Sequence, residues 1–231
     1  MATRPLFVPI KSGDSPGVEV IEIDFQWFPG MSKSQKQKSV VSFHKASEEY
    51  GFSPVLEVSS KSLDEIGVAL SAFNLMIETN NKRRLFSVES AFQSSKVFEK
   101  GGPYRDLLEK NSREAKKDVR LKESGEVIGF NFFGKIFPIE PKTFFYDWLY
   151  INALQQNKNL SENAIGFSAF TDIEFNPNKS INCQAYSLAF YVSMVHFGLL
   201  EKALSSSESF YSFASANLYR AKKSPLQDNL L

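Results

Sequence analysis

Apolar and polar positions alternate imperfectly through Val18, Val20, Ile21, Ile23 and Phe25, and the β-branched content of VEVIEIDFQW (18–27) predicts a strand. Phe28-Pro29-Gly30 predicts a turn. From Ser32, in the position of an N-cap, a helix is expected to run to Gly51 with Val40, Val41 and His44 on its inner face. PVLEVSS (54–60) reads as a second strand, and SLDEIGVALSAFNLMI (62–77) as a short helix or a strand with a turn. Residues 107–125 predict a charged helix with Leu107, Leu108, Ala115, Val119 and Leu121 inward, stopped by Gly125. The aromatic, β-branched stretch 126–141, interrupted by Gly129 and Gly134, predicts a hairpin or an irregular segment. Two strongly apolar helices follow, one capped by Thr143 and one running from Ser180 to about Gly198, with a polar loop signature at 168–182 between them. Prolines and glycines punctuate residues 1–17, which read as an irregular lead-in. The tail after about 203 reads as a serine-rich link, then a last helix with Phe210, Phe213 and Leu218, then a frayed end. These elements add up to a mainly helical α+β domain over 18–231.

One stretch breaks the pattern. Wound as a helix, LFSVESAFQSSKVFEKGGPY (85–104) puts Glu89, Phe92, Gln93 and Lys96 at i, i+3, i+4 and i+7 on one arc, flanked by Leu85, Phe86 and Val97. Its opposite side carries only Ser90, Ala91, Ser94 and Ser95. A carboxylate, an amide and an ammonium therefore sit inside an apolar stripe. Burying charge is costly unless it is paired and hydrogen-bonded, so the arrangement marks either a functional site or a Glu89–Lys96 ion pair that holds helices in register. Gly101-Gly102-Pro103 is expected to end this helix.

Composition narrows the chemistry. A net charge of +1, from 27 basic and 26 acidic residues, provides no global field for nucleic acid or a membrane, so any polyanion must meet a local patch. The single cysteine, Cys183, excludes an internal disulfide and suits a reducing compartment, and two separated histidines, His44 and His196, argue against a histidine-rich metal centre. No apolar run reaches the roughly 18 residues of a membrane span, and the start lacks the core of a signal peptide, so a cytoplasmic location is expected. No dinucleotide fingerprint, P-loop or metal spacing appears, and no cofactor is implied.

Two basic faces are candidate DNA contacts: Lys33, Lys36 and Lys38 early in the first helix, and Arg113, Lys116, Lys117 and Arg120 at helical spacing. The plainer reading of each is a solvated face. Glu89 is a candidate acid or base, with Asp172 in the polar loop as a second carboxylate, and such a pair suits cleavage of a glycosidic bond. Loop aspartates also serve as turn formers. Cys183 and the histidines read as packed or exposed rather than catalytic.

Leu70-Ser71-Ala72-Phe73, followed by Phe86-Ser87-Val88-Glu89-Ser90-Ala91-Phe92-Gln93-Ser94-Ser95-Lys96, resembles the signature of the NADAR, or YbiA-like, family. That signature is an F-S-N-F element and then a helix of the form F-P-T-x-E-H-x-Y-Q-x-x-K. Arg113-Glu114-Ala115-Lys116 resembles its A-x-x-A-K segment and Gln156-Asn157 its Q-N, while Thr171-Asp172 and Ser180-Ile181-Asn182 fall where D-x-x-W-G and G-x-N occur. The resemblance covers about 70–195, and FPGMSKSQKQKS and FTDIEFNPNKSINCQA look like the branch encoded beside DarT-type toxins, which attach ADP-ribose to guanine in single-stranded DNA. Ala72, Ser90 and Ile173-Glu174-Phe175 depart from the pattern, which bears on the base pocket more than on the ribose chemistry.

The resemblance implies a single YbiA-like domain with a few short strands, acting as an N-glycosidase that removes ADP-ribose from guanine and so serves as an antitoxin. Its partners would be modified single-stranded DNA and, functionally, the toxin. Carried over, Glu89 would orient or deprotonate water or hold the ribose hydroxyls, and Lys96 would act directly at the ribose or neutralise phosphate. Asp172 would stabilise positive charge on the ribose. Ser71, Phe73, Asn74, Phe92, Gln93 and Asn182 would bind substrate. The alternatives are a glycosidase for a phosphoribosylated riboflavin-pathway intermediate and a non-catalytic ADP-ribose reader. Oligomeric state is open.

Overall fold

The computed structural model describes residues 1–79, 84–177, 180–216 and 221–222; Leu218, expected in the last helix, lies outside them. In chain order the elements begin with strands β1 (Ala2–Pro9) and β2 (Val18–Phe25) and helix α1 (Lys33–Glu49). β3 (Val55–Glu57), α2 (Glu65–Ala69), β4 (Met76–Glu78) and β5 (Leu85–Ser87) lead into α3 (Val88–Ser95) and β6 (Lys96–Phe98). A 3-10 turn at Arg105–Glu109 precedes α4 (Ser112–Lys117) and α5 (Arg120–Glu123), then the hairpin β7 (Val127–Phe132) and β8 (Lys135–Phe137). α6 (Phe144–Gln156), α7 (Lys158–Ala164), β9 (Ala169–Thr171), α8 (Gln184–His196), α9 (Leu200–Leu204), α10 (Ser207–Ala216) and β10 (Ala221–Lys222) complete the described chain.

The main sheet has the order β10-β2-β1-β9-β3, and strand alternation sends side chains to two cores. Leu6, Ile21, Ile23 and Phe25 pack with Val40 and Phe43 of α1, whereas Phe7, Val20 and Leu56 join α3, α6 and α8 in the larger core. The result is an α+β domain.

Several expectations are corrected. Residues 2–9 are not an irregular lead-in: β1 pairs along its whole length with β2 and at Phe7 with Phe170 of β9. Pro5 and Pro9 are compatible with a strand laddered on one side throughout and on the other at one position, since their missing N–H groups can face the unladdered side. The loop expected at 168–182 begins with β9, parallel to β3 through Leu56↔Phe170 and Glu57↔Thr171. In α1, Phe43 is buried and Val41 is 54% exposed, although Ser32 does cap the helix by accepting from the Gln35 N–H. Residues 107–125 do not form one helix; Asn111 caps α4 through the Arg113 and Glu114 N–H groups, α4 ends at Lys117, and Val119 faces solvent. The aromatic stretch is a hairpin whose turn residues Phe133 and Gly134 have φ of 50° and 91°, the left-handed pair that a tight two-residue turn needs.

Candidate active site

α3 is shorter than its apolar stripe suggests. Ser87 caps it, accepting from the Ser90 N–H, and the Ser94 and Ser95 hydroxyls bond back to the Ala91 carbonyl at 3.0 and 2.7 Å. Such back-bonding and the strand preference of the following Val97 and Phe98 favour exit from the helix. Lys96 is accordingly extended (φ −62°, ψ 129°) and pairs with Phe130 of β7. Every residue of α3 is buried, its small side letting neighbouring backbone approach closely: Ser90 donates to the Lys110 carbonyl at 3.0 Å.

Although Lys96 leaves the helix, it faces the same space as Glu89, Phe92 and Gln93. These residues line a cavity of about 620 Å³ with Ser71, Phe73, Asn74, Asp172 and Asn182, so each expected catalytic and substrate-binding position is brought together there. Arg113 and Lys116 reach it from α4, and Lys61 also lines it. Five buried side-chain polar atoms lack a hydrogen-bond partner among the described residues, and three of them, Ser71 Oγ, Gln93 Oε1 and Asn182 Oδ1, belong to cavity residues. Buried polar groups are normally paired, so these atoms represent capacity for a polar ligand.

Glu89 is not ion-paired with Lys96. Its Oε1 accepts from Gln93 Nε2 at 2.9 Å and lies 3.6 Å from Lys116 Nζ. Lys96 Nζ instead lies 4.8 Å from the centre of the Phe92 ring, and Lys116 Nζ stands 5.2 Å from that of Phe73. Burial holds the Lys96 ammonium below the usual lysine range, opposed by Glu89 and reinforced by Lys116. Asp172 accepts from the Glu174 N–H and from Gln184 Nε2, both at 3.0 Å. Burial, helped by the charge of Glu57, pushes its carboxyl up to about 8. Its surroundings thus favour the protonated carboxyl, which is at odds with the role of neutralising a cationic ribose implied by the resemblance.

The remaining basic residues divide. Lys33 and Lys38 are exposed on α1 outside the cavity lining. Lys36 bonds Glu174 at 3.3 Å and lies 4.7 Å from the Trp27 ring, tying α1 to the Asp172 loop. Lys117 is exposed, and Arg120 is held by Asp106 and Asp118 at 2.6 and 2.8 Å, which leaves little of its charge for a polyanion.

Sequence reasoning missed Tyr146, Gln184 and Glu57. Tyr146, from α6, lines the cavity and packs edge-on against Phe92 at 5.2 Å. Gln184 opens α8 and bridges the Ala72 N–H, at 2.6 Å, to Asp172. Glu57 is 1% exposed in the middle of Leu56-Glu57-Val58, and a charge inside a short apolar strand was the available signal. Among the described residues no group of three or more His, Cys, Asp or Glu is arranged to hold a metal ion, and no helix is long and apolar enough to cross a membrane.

No curated protein matches the sequence. Residues 2–224, nearly the whole chain, match the family described as DarT1-associated NADAR antitoxin. With Ser71, Phe73, Glu89, Phe92, Gln93 and Lys96 of the NADAR signature gathered around one cavity, the chain belongs to the DarT1-associated NADAR antitoxin family.

Proposed function

We propose that this protein is an N-glycosidase that removes ADP-ribose from guanine in single-stranded DNA and thereby reverses the modification made by its associated toxin. The observation that carries the reading is the cavity itself: unpartnered Ser71 Oγ, Gln93 Oε1 and Asn182 Oδ1 stand beside Glu89, Lys96 and Asp172. The serine can bond ribose hydroxyls, and the two amide oxygens accept hydroxyl or base N–H groups. Lys61, Arg113 and Lys116 offer charge to a diphosphate or to DNA phosphates.

In the proposed reaction the bond between the ribose C1″ and the guanine nitrogen breaks, and its electron pair leaves with the nitrogen. Protonated Asp172 supplies the proton that makes guanine a neutral leaving group. Glu89, oriented by Gln93, takes a proton from the water whose oxygen bonds to C1″. Water then returns a proton to Asp172 and removes one from Glu89. Lys96 lines the same cavity, and its lowered pKa makes a neutral amine more accessible for a direct role at the ribose.

The test is mass spectrometry of a short single-stranded oligonucleotide bearing ADP-ribose on guanine. The wild type is expected to remove one ADP-ribose unit, and Glu89→Gln to be slower by about a hundredfold or more. An oligonucleotide left intact by the wild type would refute the activity, and an unimpaired Glu89→Gln would refute the role of Glu89.

A further inference from the structure

Glu57 lies behind the cavity wall rather than in it, and its hydrogen bonds surround one residue. The carboxylate accepts from the Thr171 hydroxyl at 2.8 Å and from the Ile173 N–H at 3.0 and 3.2 Å, so it grips the chain immediately before and after Asp172. Ser59 adds a third donor. The grip follows from the sheet: Glu57 and Thr171 are register partners in β3 and β9, and Asp172 is the next residue out of β9. We propose that Glu57 is a positioning residue for the reaction, fixing where the Asp172 carboxyl points and supplying the negative charge that keeps Asp172 in its proton-donating form. The inference rests on the role given to Asp172 above.

Charge and burial act in the same sense. Burial is the larger influence on Asp172, and the negative charge of Glu57 raises it further. Glu57 is itself raised by burial, but the donors from Ser59, Ile173 and Thr171 oppose this and favour its ionised form. Glu174 faces both carboxyls and is partly neutralised by Lys36. Tyr146 and Tyr150 from α6 and Cys183 just before α8 face Asp172, and burial raises all three, so they stay neutral where Asp172 titrates. On the α1 side, Thr171 donates to Glu57, so it accepts from His44 Nε2 at 3.0 Å. Burial lowers His44 to about 4 against the nearby Asp64, so it adds no positive charge at neutral pH. The three donors aimed at Glu57 favour the negative charge there, and Asp172, with fewer donors and the deeper shift, is the member of the pair that favours its proton.

The experiment is the pH profile of ADP-ribose release from the modified oligonucleotide. The wild-type rate is expected to fall as pH rises through about 8, where Asp172 loses its proton. Glu57→Gln keeps the shape and removes the charge, so this alkaline limb should move to lower pH by about one unit, costing about tenfold at pH 8.5 and little at pH 6. Equal slowing at every pH, with the limb unmoved, would mean a merely structural role and would overturn the inference. Glu57→Asp keeps the charge on a shorter arm. It should leave the limb in place and lower kcat about tenfold or more through lost aim; wild-type kcat in this variant would also overturn the inference.

Infrared difference spectra of wild type against Asp172→Asn give a readout that needs no substrate. A protonated-carboxyl band should persist at pH 7 in the wild type and disappear at lower pH in Glu57→Gln. If the wild type released no ADP-ribose, the activity would fall but the spectra would still decide the charge coupling; an ionised Asp172 at pH 7, or an unshifted band, would refute it.

Discussion

An ammonium group over an aromatic face, with burial on its other sides, can serve as a fixed charge or as an amine. Lys96 is in that position, 4.8 Å from the Phe92 ring centre and without a carboxylate within ion-pair distance among the described residues. Lys96→Arg separates the two uses, because guanidinium keeps the charge and cannot act as an amine. An amine role at the ribose predicts that the variant releases ADP-ribose from the modified oligonucleotide at least a hundredfold more slowly, whereas a pure charge role would leave it within about tenfold. Glu89 and Lys96 were legible in the sequence because charge inside an apolar stripe is costly wherever it occurs. The same logic applies to Glu57, but three residues of strand are too few for a pattern to declare itself, and its partners Thr171 and Ile173 are distant in sequence.

At the scale of elements, α6 and α8 were legible as apolar helices since both are buried nearly all round, and the hairpin at 127–137 was foreshadowed by its glycines. What escaped were the breaks. α3 and the 107–125 segment were each expected as one long helix, and both are cut by side chains that bond to nearby backbone, serines in the first and Asn111 in the second. Inside the α6–α8 contact, Asp147 accepts from the Ser187 hydroxyl, and burial pushes its carboxyl up to about 7. A raised carboxyl binds its proton more tightly in the folded chain, so its stabilising contribution is complete below pH 3.8 and is lost as pH rises through about 7. Asp147→Asn is thus expected to flatten the fall in stability between pH 4 and 8 by about 2 to 4 kcal/mol, measured by urea denaturation at each pH. Parallel curves for the variant and the wild type would contradict it.

For the whole molecule, a net charge of +1 leaves the proposed DNA recognition to local patches, and the geometry separates the two basic faces that were equal as sequence. Arg113 and Lys116 border the cavity, whereas Lys33 and Lys38 do not, and Arg120 is occupied by Asp106 and Asp118. Binding of a single-stranded oligonucleotide should therefore weaken in Arg113→Glu, with the slope of log K against log salt reduced by about 0.7 for the lost contact. Lys33→Glu should change neither quantity by much. Equal loss in both would return DNA to the α1 face.

The position of β9 between β1 and β3 also has a consequence in time. On the ribosome, β1 and β2 are made first and β3 soon after, yet β1 and β3 have no common neighbour until Ala169–Thr171 leave the exit tunnel. Until then both strands carry open edges that invite association with other chains. The residues that join β1 to β3 are followed directly by Asp172, so the centre of the sheet and this wall of the cavity form together, late in synthesis. A nascent chain interrupted before that point would have neither a joined sheet nor the Asp172 side of its cavity.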